Sequence, residues 1–280
     1  MDMGPDKNWL ALLDESLARH SPHIRRRLRE WVLNVDGRCA VIADNLAKFT
    51  PLQKQRLLDF GCGEGGVALY FAKLGLDAWG ADVDQSQLRR AELRARESGA
   101  ELKTSVIGKD GRAAGLSDAQ FDIVLCMDVI EHCADAEASL GEMKRLLKND
   151  GLIYMTTPNR LGPSWIFADP HYDLPLVSVL PKPIGDRVVK LVRGYDNDVV
   201  HLFSPPELDK LFRRAGLSVA YSYPDVVLDK IRQPEKIVSS TKRNIFHALN
   251  TLKAASAIKT LLPAVHLFSD SLIYILKPRP

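Results

Sequence analysis

The 280-residue chain has no apolar run of about 20 residues, so no segment reads as a helix that crosses a bilayer. Cysteine is scarce. The four, Cys39, Cys62, Cys126 and Cys133, lack the close pairs of a zinc site, and reduced thiols in a cytoplasmic protein are the simplest reading. Excess charge is also slight: a formal +3 is too little to argue for a nucleic-acid partner. The opening stretch MDMGPDKNWLALLDES carries acids and no long apolar run, so it reads as no signal peptide. Internal repeats and low-complexity tracts are missing. What is left is a chain of ordinary composition, long enough for one α/β domain with appendages.

The most informative stretch present is Leu57-Leu58-Asp59-Phe60-Gly61-Cys62-Gly63-Glu64-Gly65-Gly66. It predicts a short apolar strand, a glycine-crowded turn and a helix beginning near Val67. Glycine lets main chain approach a ligand closely, and the helix start aims free N–H groups at the turn. Gly61, Gly63 and Gly66 also satisfy the dinucleotide fingerprint, with Asp82 about 20 residues on. The surrounding chemistry separates the two readings. An acid in the turn would repel a pyrophosphate, and here Asp59 ends the strand and Glu64 lies in the turn. Two carboxylates suit a cationic end, an amino group or a sulfonium, and S-adenosylmethionine has both.

Later segments agree. Asp77 to Asp84 reads as a second strand ending in acid, with Asp82 placed to accept both ribose hydroxyls and Asp84 better suited to cap a helix. Asp110, after a third strand, could accept from an adenine amino group. Phe121 to His132 holds a fourth apolar run, and Gly151 to Arg160 a fifth that stops at Pro158. Strands are predicted near Arg56–Phe60, Ala78–Asp82, Leu102–Ile107, Ile123–Met127, Leu152–Thr156, Leu217–Tyr223 and Ser271–Lys277. Helices are predicted near Gly65–Leu74, Gln85–Ser98 and Ala134–Leu147, and from Ser204, which has capping-box spacing to Glu207. Alternation of this kind predicts a parallel sheet with crossover helices.

With these motifs the chain resembles the Rossmann-like (class I) S-adenosylmethionine-dependent methyltransferases from about Arg56 to Pro224. LLDFGCGEGG resembles the family's first motif and GADVD its ribose motif. FDIVLCMDVIEH and EMKRLLKNDGLIYMTTPN resemble the motifs of the fourth and fifth strands. TTPNRLGPSW and HLFSPPEL are most similar to the quinone-biosynthesis O-methyltransferases and related small-molecule enzymes. The resemblance implies an α/β fold: a doubly wound, mostly parallel seven-stranded sheet whose last strand is antiparallel. A helical amino-terminal cap over residues 1–50 would precede a methyltransferase domain over 51–280. That domain would carry a substrate-lid insertion at about 159–203 and an amphipathic insertion at about 226–268.

The resemblance implies S-adenosylmethionine as cofactor and S-adenosylhomocysteine as product. It assigns Asp59, Gly61, Cys62 and Gly63 to the methionine end. Asp82 and Val83 go to the ribose, Asp110 and Gly111 to the adenine, and Met127 and Asp128 to the pocket wall. Competing structural roles are a plain βα turn for the glycines, a turn residue for Asp110 and packing for Cys62. His132, His171 and His201 are the candidate bases, each set against a loop-packing role, and Trp165 and Tyr172 are candidate substrate contacts. Nothing in methyl transfer requires a metal.

Residues 226–280 carry nine Lys and Arg against three Asp and Glu. Ile245, Phe246, Leu249 and Leu252 fall there at helical spacing among lysines. That pattern fits a peripheral membrane contact through 226–268, or a helix packed on the domain or a second subunit. The oligomeric state is open. The leading expectation is methyl transfer to a small-molecule or lipid-linked acceptor, at a hydroxyl oxygen. Its rivals are a cell-envelope sugar or lipid or a natural-product intermediate methylated at O, N or C, a non-catalytic cofactor-binding regulator, and a nicotinamide oxidoreductase.

Overall fold

In the computed structural model of the chain, residues 8–108, 110–167, 174–177, 180–194, 199, 201–236, 244, 246, 248–250 and 255–279 are described. The strands are β1 Arg56–Phe60, β2 Asp77–Asp82, β3 Lys103–Val106, β4 Phe121–Met127, β5 Leu147–Pro158, β6 Leu217–Ser222 and β7 Ser271–Pro278. They form one sheet in the order β3-β2-β1-β4-β5-β7-β6. β1 runs parallel to β2 and β4, β2 parallel to β3, and β6 antiparallel to β7. The expected mixed seven-stranded sheet is therefore present. Leu57, Leu58, Phe60, Ile123, Val124, Leu125 and Cys126 are all buried. Continuous apolar runs of this kind suit strands covered on both faces. Strand order reverses between β1 and β4, and open α/β sheets bind ligands at the carboxyl ends of strands flanking such a point.

The helices described are α1 Trp9–Ser16, α2 Pro22–Leu33, α3 Asp36–Leu46, α4 Gly66–Lys73, α5 Gln85–Glu97 and α6 Ala136–Leu146. They continue with α7 Pro163–Phe167, α8 Lys182–Arg193, α9 Pro205–Arg214, α10 Tyr223–Arg232 and α11 Ala255–Leu267. Local sequence accounts for several of their ends. Pro22 opens α2, where its missing N–H costs nothing. The Asp84 side chain accepts the Ser86 N–H at the start of α5, so the expected cap is realised. Ser204 and Glu207 form the expected capping box of α9.

Three elements depart from expectation. β5 starts at Leu147, directly after α6, ahead of the expected start near Leu152. The first insertion, in which no helix was predicted, contains α7 and α8. α10 follows β6 at once, through a second capping box between Ser222 and Asp225 with proline in the first turn. Ser222-Tyr223-Pro224-Asp225 has the same grammar as Ser204-Pro205-Pro206-Glu207, so this helix had a sequence signal. The helix expected through Ile245 and Leu252 is centred partly on residues outside those described.

The chain divides into two compact units, Met1–Met127 with Glu137–Tyr154 and Asp128–Ala136 with Met155–Pro280. In the first, α1 is tied to α5: the Trp9 N–H donates to Glu97 and the Arg94 guanidinium lies 4.4 Å from the Trp9 ring centroid. In the second, Val177, Val189, Val199 and Leu202 make a small core of their own. Asn159, fully buried, donates from Nδ2 to the carbonyls of Leu267 and Ser269 and accepts the Leu161 N–H. A buried amide satisfied this fully fixes the chain after β5 to the chain before β7. Among the described residues, no helix is long and apolar enough to cross a membrane.

Candidate functional site

The first unit holds every cofactor candidate but Asp128. The turn after β1 is fastened to the end of β2, since the N–H groups of Gly61 and Cys62 both donate to the Ala81 carbonyl, at 2.7 and 3.0 Å. Gly61 and Gly63 adopt φ of 79° and 51°, values that side chains with a Cβ rarely take. Cys62 is buried, with its Sγ where a Cβ on Gly80 would come within 2.7 Å. It therefore packs the turn against β2, and burial pushes its thiol pKa well up, with Asp59 and Asp82 adding to the effect.

Asp82 meets this turn directly. Its Oδ2 accepts the Gly63 N–H at 2.8 Å and its Oδ1 accepts the Asp84 N–H at 2.9 Å. Each oxygen keeps a lone pair, so the carboxylate can still accept two vicinal hydroxyls. Burial raises its pKa, and the Asp84 and Gly63 N–H groups oppose that rise.

Asp59 is 2% exposed at the end of β1. Burial pushes its pKa up to about 7; the Ala68 N–H, in the first turn of α4, works against this, and the Asp82 charge adds to it. Oδ2 of Asp59 is buried without a hydrogen-bond partner. An unsatisfied buried carboxylate oxygen costs about 1–3 kcal/mol or more, and a cation delivered there would recover that cost.

Glu64 differs from the expectation of a second ligand-facing acid. The Arg90 Nε lies 2.9 and 3.0 Å from its two oxygens, and the Arg90 Nη2 lies 2.8 Å from Oε1. Both side chains are about nine-tenths buried, at 9% and 11% exposure. Glu64 is therefore neutralised inside the protein, and Asp59 alone remains for a cationic ligand. Arg90 lies 26 residues away in sequence, so no local pattern announced it.

Of the remaining cofactor candidates, Val83 is 69% exposed just past β2, an apolar face available to a ring. Asp110 is exposed and its Oδ1 accepts the Arg112 N–H at 3.1 Å, which is the turn role. Gly111 continues that turn with φ of 79°. Met127 is half-buried at the carboxyl end of β4.

The second unit gathers the other candidates. Asp128 has φ of 56°, a strained value for a residue with a side chain. Two bonds hold it there: its N–H donates to the Thr156 carbonyl at 3.0 Å, and its Oδ1 accepts the Thr156 hydroxyl at 2.9 Å. Glu131 is fully buried. Its Oε2 accepts the Thr157 hydroxyl at 3.0 Å, and Oε1 has no partner. Burial, and then the Asp128 charge, push its pKa up to about 8, so it is mostly a neutral acid at pH 7. Glu131 lies in the FDIVLCMDVIEH motif without a role assigned by the resemblance. An acid inside an apolar run, next to histidine, was the available signal.

His132 ends a short 3₁₀ turn, Ile130–His132, and is half-buried. The His201 N–H donates to the Glu131 carbonyl at 3.0 Å, which brings the His201 backbone to the Glu131–His132 segment. The His201 ring meets Phe203 edge-on at 4.6 Å, and its Nε2 lies 3.8 Å from Oε1 of Glu207. Glu207 also accepts from the Ser204 N–H and hydroxyl and from Arg160. Burial alone would raise the Glu207 pKa, but the Ser204 contacts and Arg160 bring it below the ordinary range. His171 and Tyr172 lie outside the described residues, and of Trp165 only the backbone, within α7, is described.

Comparison with known proteins adds three findings. Residues 58–155 match the family model described as a methyltransferase domain. A ubiquinone biosynthesis O-methyltransferase of Cereibacter sphaeroides is 36% identical over 168 residues, 60% of this chain and 62% of that one. One from Paraburkholderia phymatum is 31% identical over 170 residues, 60% of this chain and 67% of that one. The chain thus spans between about three-fifths and two-thirds of the length of these curated relatives. A solved S-adenosylmethionine-dependent methyltransferase of Clostridium acetobutylicum aligns with a TM-score of 0.53 at 12% identity, over 86% of this chain and 89% of that one. At that identity the likeness is one of fold.

Proposed function

The chain belongs to the class I S-adenosylmethionine-dependent methyltransferases, and from that premise we propose that it methylates a small or lipid-linked acceptor at a hydroxyl oxygen. The observation that carries the donor half is the orphaned Oδ2 of Asp59, buried beside a turn tied to Asp82. These residues fit the donor: Asp59 suits its ammonium, the glycine turn its amino-acid tail, and Asp82 its ribose diol. When bound, S-adenosylmethionine supplies an already activated methyl group. The protein then has to align donor and acceptor and keep water out, which can lower a barrier by about 7–11 kcal/mol.

The relatives named ubiquinone biosynthesis O-methyltransferases support oxygen as the methylated atom and a lipid-linked class of acceptor. His201 is the base we favour, because it is half-exposed and its ring nitrogen faces the Glu207 carboxylate. His132 is the second candidate, and His171, Tyr172 and Trp165 are kept as contacts of a substrate lid. Residues 1–50 are assigned as a cap and 159–203 as the lid insertion. A peripheral membrane contact through 226–268 is supported by Leu261 and Val265, exposed at i and i+4 along α11, and by exposed Phe268 directly after it.

Incubation with a labelled methyl donor and fractionated cell extract tests the reading. Label in the methyl ether of an extractable small molecule is expected. Label on carbon or nitrogen would overturn the oxygen assignment. Tight donor binding with no label transferred to any fraction would favour a regulatory module.

A further inference from the structure

A cavity of about 360 Å³ lies within the first unit, and none of the cofactor candidates lines it. That is the small end of the range of about 300–1,000 Å³ for ligand sites, room for one ring and its substituents. Gly66, Tyr70 and Lys73 fall at i, i+4 and i+7 on the face of α4 that lines it. Gly66 is the third glycine of the fingerprint, and its place is explained here. A Cβ on Gly66 would come within 2.6 Å of Arg94 Nη1 and 3.0 Å of Val35 Cγ1. The glycine therefore makes room for the Arg94 guanidinium of α5, which also lines the cavity.

Arg94 is half-buried and poorly compensated. It donates to the carbonyls of Glu64 and Val32, both at 3.4 Å, long for such bonds, and lies on the Trp9 ring. No carboxylate pairs with it among the described residues, and the nearby Glu64 carboxylate is bonded to Arg90. Burial lowers the Arg94 pKa, against the pull of the Glu64 and Asp36 charges. A buried cation in this state favours an incoming anion. Three more charges line the cavity. Lys73 and Asp36 are exposed, and neither side chain has a hydrogen bond or ion pair among the described residues. Glu97 accepts the Trp9 N–H on Oε1 and keeps its other oxygen. Trp9, Tyr70 and the buried Leu69 supply apolar wall. A dianion would meet Asp36 and Glu97, and a plain cation would meet Arg94 and Lys73, so a ligand carrying both signs on an apolar body fits best.

We propose that this cavity binds a free α-amino acid with an aromatic side chain. Its carboxylate would meet Arg94 and Lys73, its ammonium Asp36 and Glu97, and its ring Trp9 and Tyr70. The inference goes beyond the methyl-transfer reading and stands without it.

Calorimetry of the full chain with L-phenylalanine, benzoate and phenethylamine, each with and without S-adenosylhomocysteine, tests this. We expect saturable heats for phenylalanine in both conditions, and binding at least about tenfold weaker for the two probes of single charge. K73Q and D36N should each weaken phenylalanine binding about tenfold. Lys73 is exposed, so K73Q should melt as wild type does, and both variants should bind S-adenosylhomocysteine as before. No phenylalanine heat up to about 10 mM would overturn the proposal. Displacement of phenylalanine by S-adenosylhomocysteine would overturn it too, by putting the amino acid in the cofactor pocket. Benzoate or phenethylamine binding as tightly as phenylalanine, or full affinity in either variant, would do the same. Absence of any S-adenosylhomocysteine heat with phenylalanine binding intact would count against the methyltransferase reading alone.

Discussion

Replacing Asp59 by asparagine should stabilise the free protein while weakening its cofactor site. The folded-state pKa of Asp59 is about 7, against an ordinary 3.8. Below the ordinary value both states hold the proton, and burial of the carboxyl carries no charge penalty. As pH rises, the unfolded chain loses the proton first, so stability falls until the folded pKa is passed. Moving a carboxyl this far corresponds to about 4 kcal/mol in full, of which about 2–3 kcal/mol falls between about pH 5 and about pH 8. Asparagine keeps an acceptor for the Ala68 N–H and removes the titration. Urea unfolding of both proteins at the two pH values measures the effect, and the difference between them isolates Asp59 from Glu131 and Asp82, whose pKa values are also raised. The variant should be the more stable at the higher pH, with the gap shrinking as pH falls. Its affinity for S-adenosylmethionine should drop by about 1–3 kcal/mol, the range for a lost charge-assisted hydrogen bond. Equal stability profiles would show that Asp59 is satisfied in the free protein and that its Oδ2 is not waiting for a cation.

Four further outcomes follow from the geometry. Arg90→Met should cost about 3–5 kcal/mol in chemical denaturation, because it strands the buried Glu64 carboxylate; a cost below about 1 kcal/mol would mean that Glu64 reaches water. Gly80→Ala should cost about 1–3 kcal/mol by driving a Cβ into the Cys62 sulfur, and Cys62→Ala in the same chain should restore most of it. Asp82→Ala should weaken cofactor binding by about 1–3 kcal/mol in calorimetry and loosen the turn that Gly63 anchors; unchanged affinity would put the ribose elsewhere. His201→Ala should abolish turnover and leave cofactor affinity and melting temperature intact, whereas a parallel loss of stability would make His201 a packing residue only.

The parts of this protein legible in sequence are those set by neighbours along the chain. The run Leu57–Phe60 followed by glycines predicts strand and turn because burial and positive φ are local demands. Asp84 and Ser204 predict their helix starts because a cap bonds within three residues. Illegible features depend on partners far away. Glu64 reads as a ligand-facing acid until Arg90 is seen against it. Asp59 reads as a contact, but its unpaired oxygen follows from burial under the packed fold. Glu131 is polar in sequence and a neutral acid in place, since only the surrounding core and Asp128 shift its proton. α8 was masked by the prolines and aromatics around it, although its own apolar spacing is regular.

The central claim is that the turn after β1 is built for a cationic methyl donor. Titration of the wild-type protein by calorimetry with S-adenosylmethionine, S-adenosylhomocysteine and NAD tests it most directly. Saturable heats for the first two, with proton release on binding below about pH 7 as Asp59 ionises, and no heat for NAD, are the predicted result. Saturation by NAD with no response to S-adenosylmethionine would contradict it.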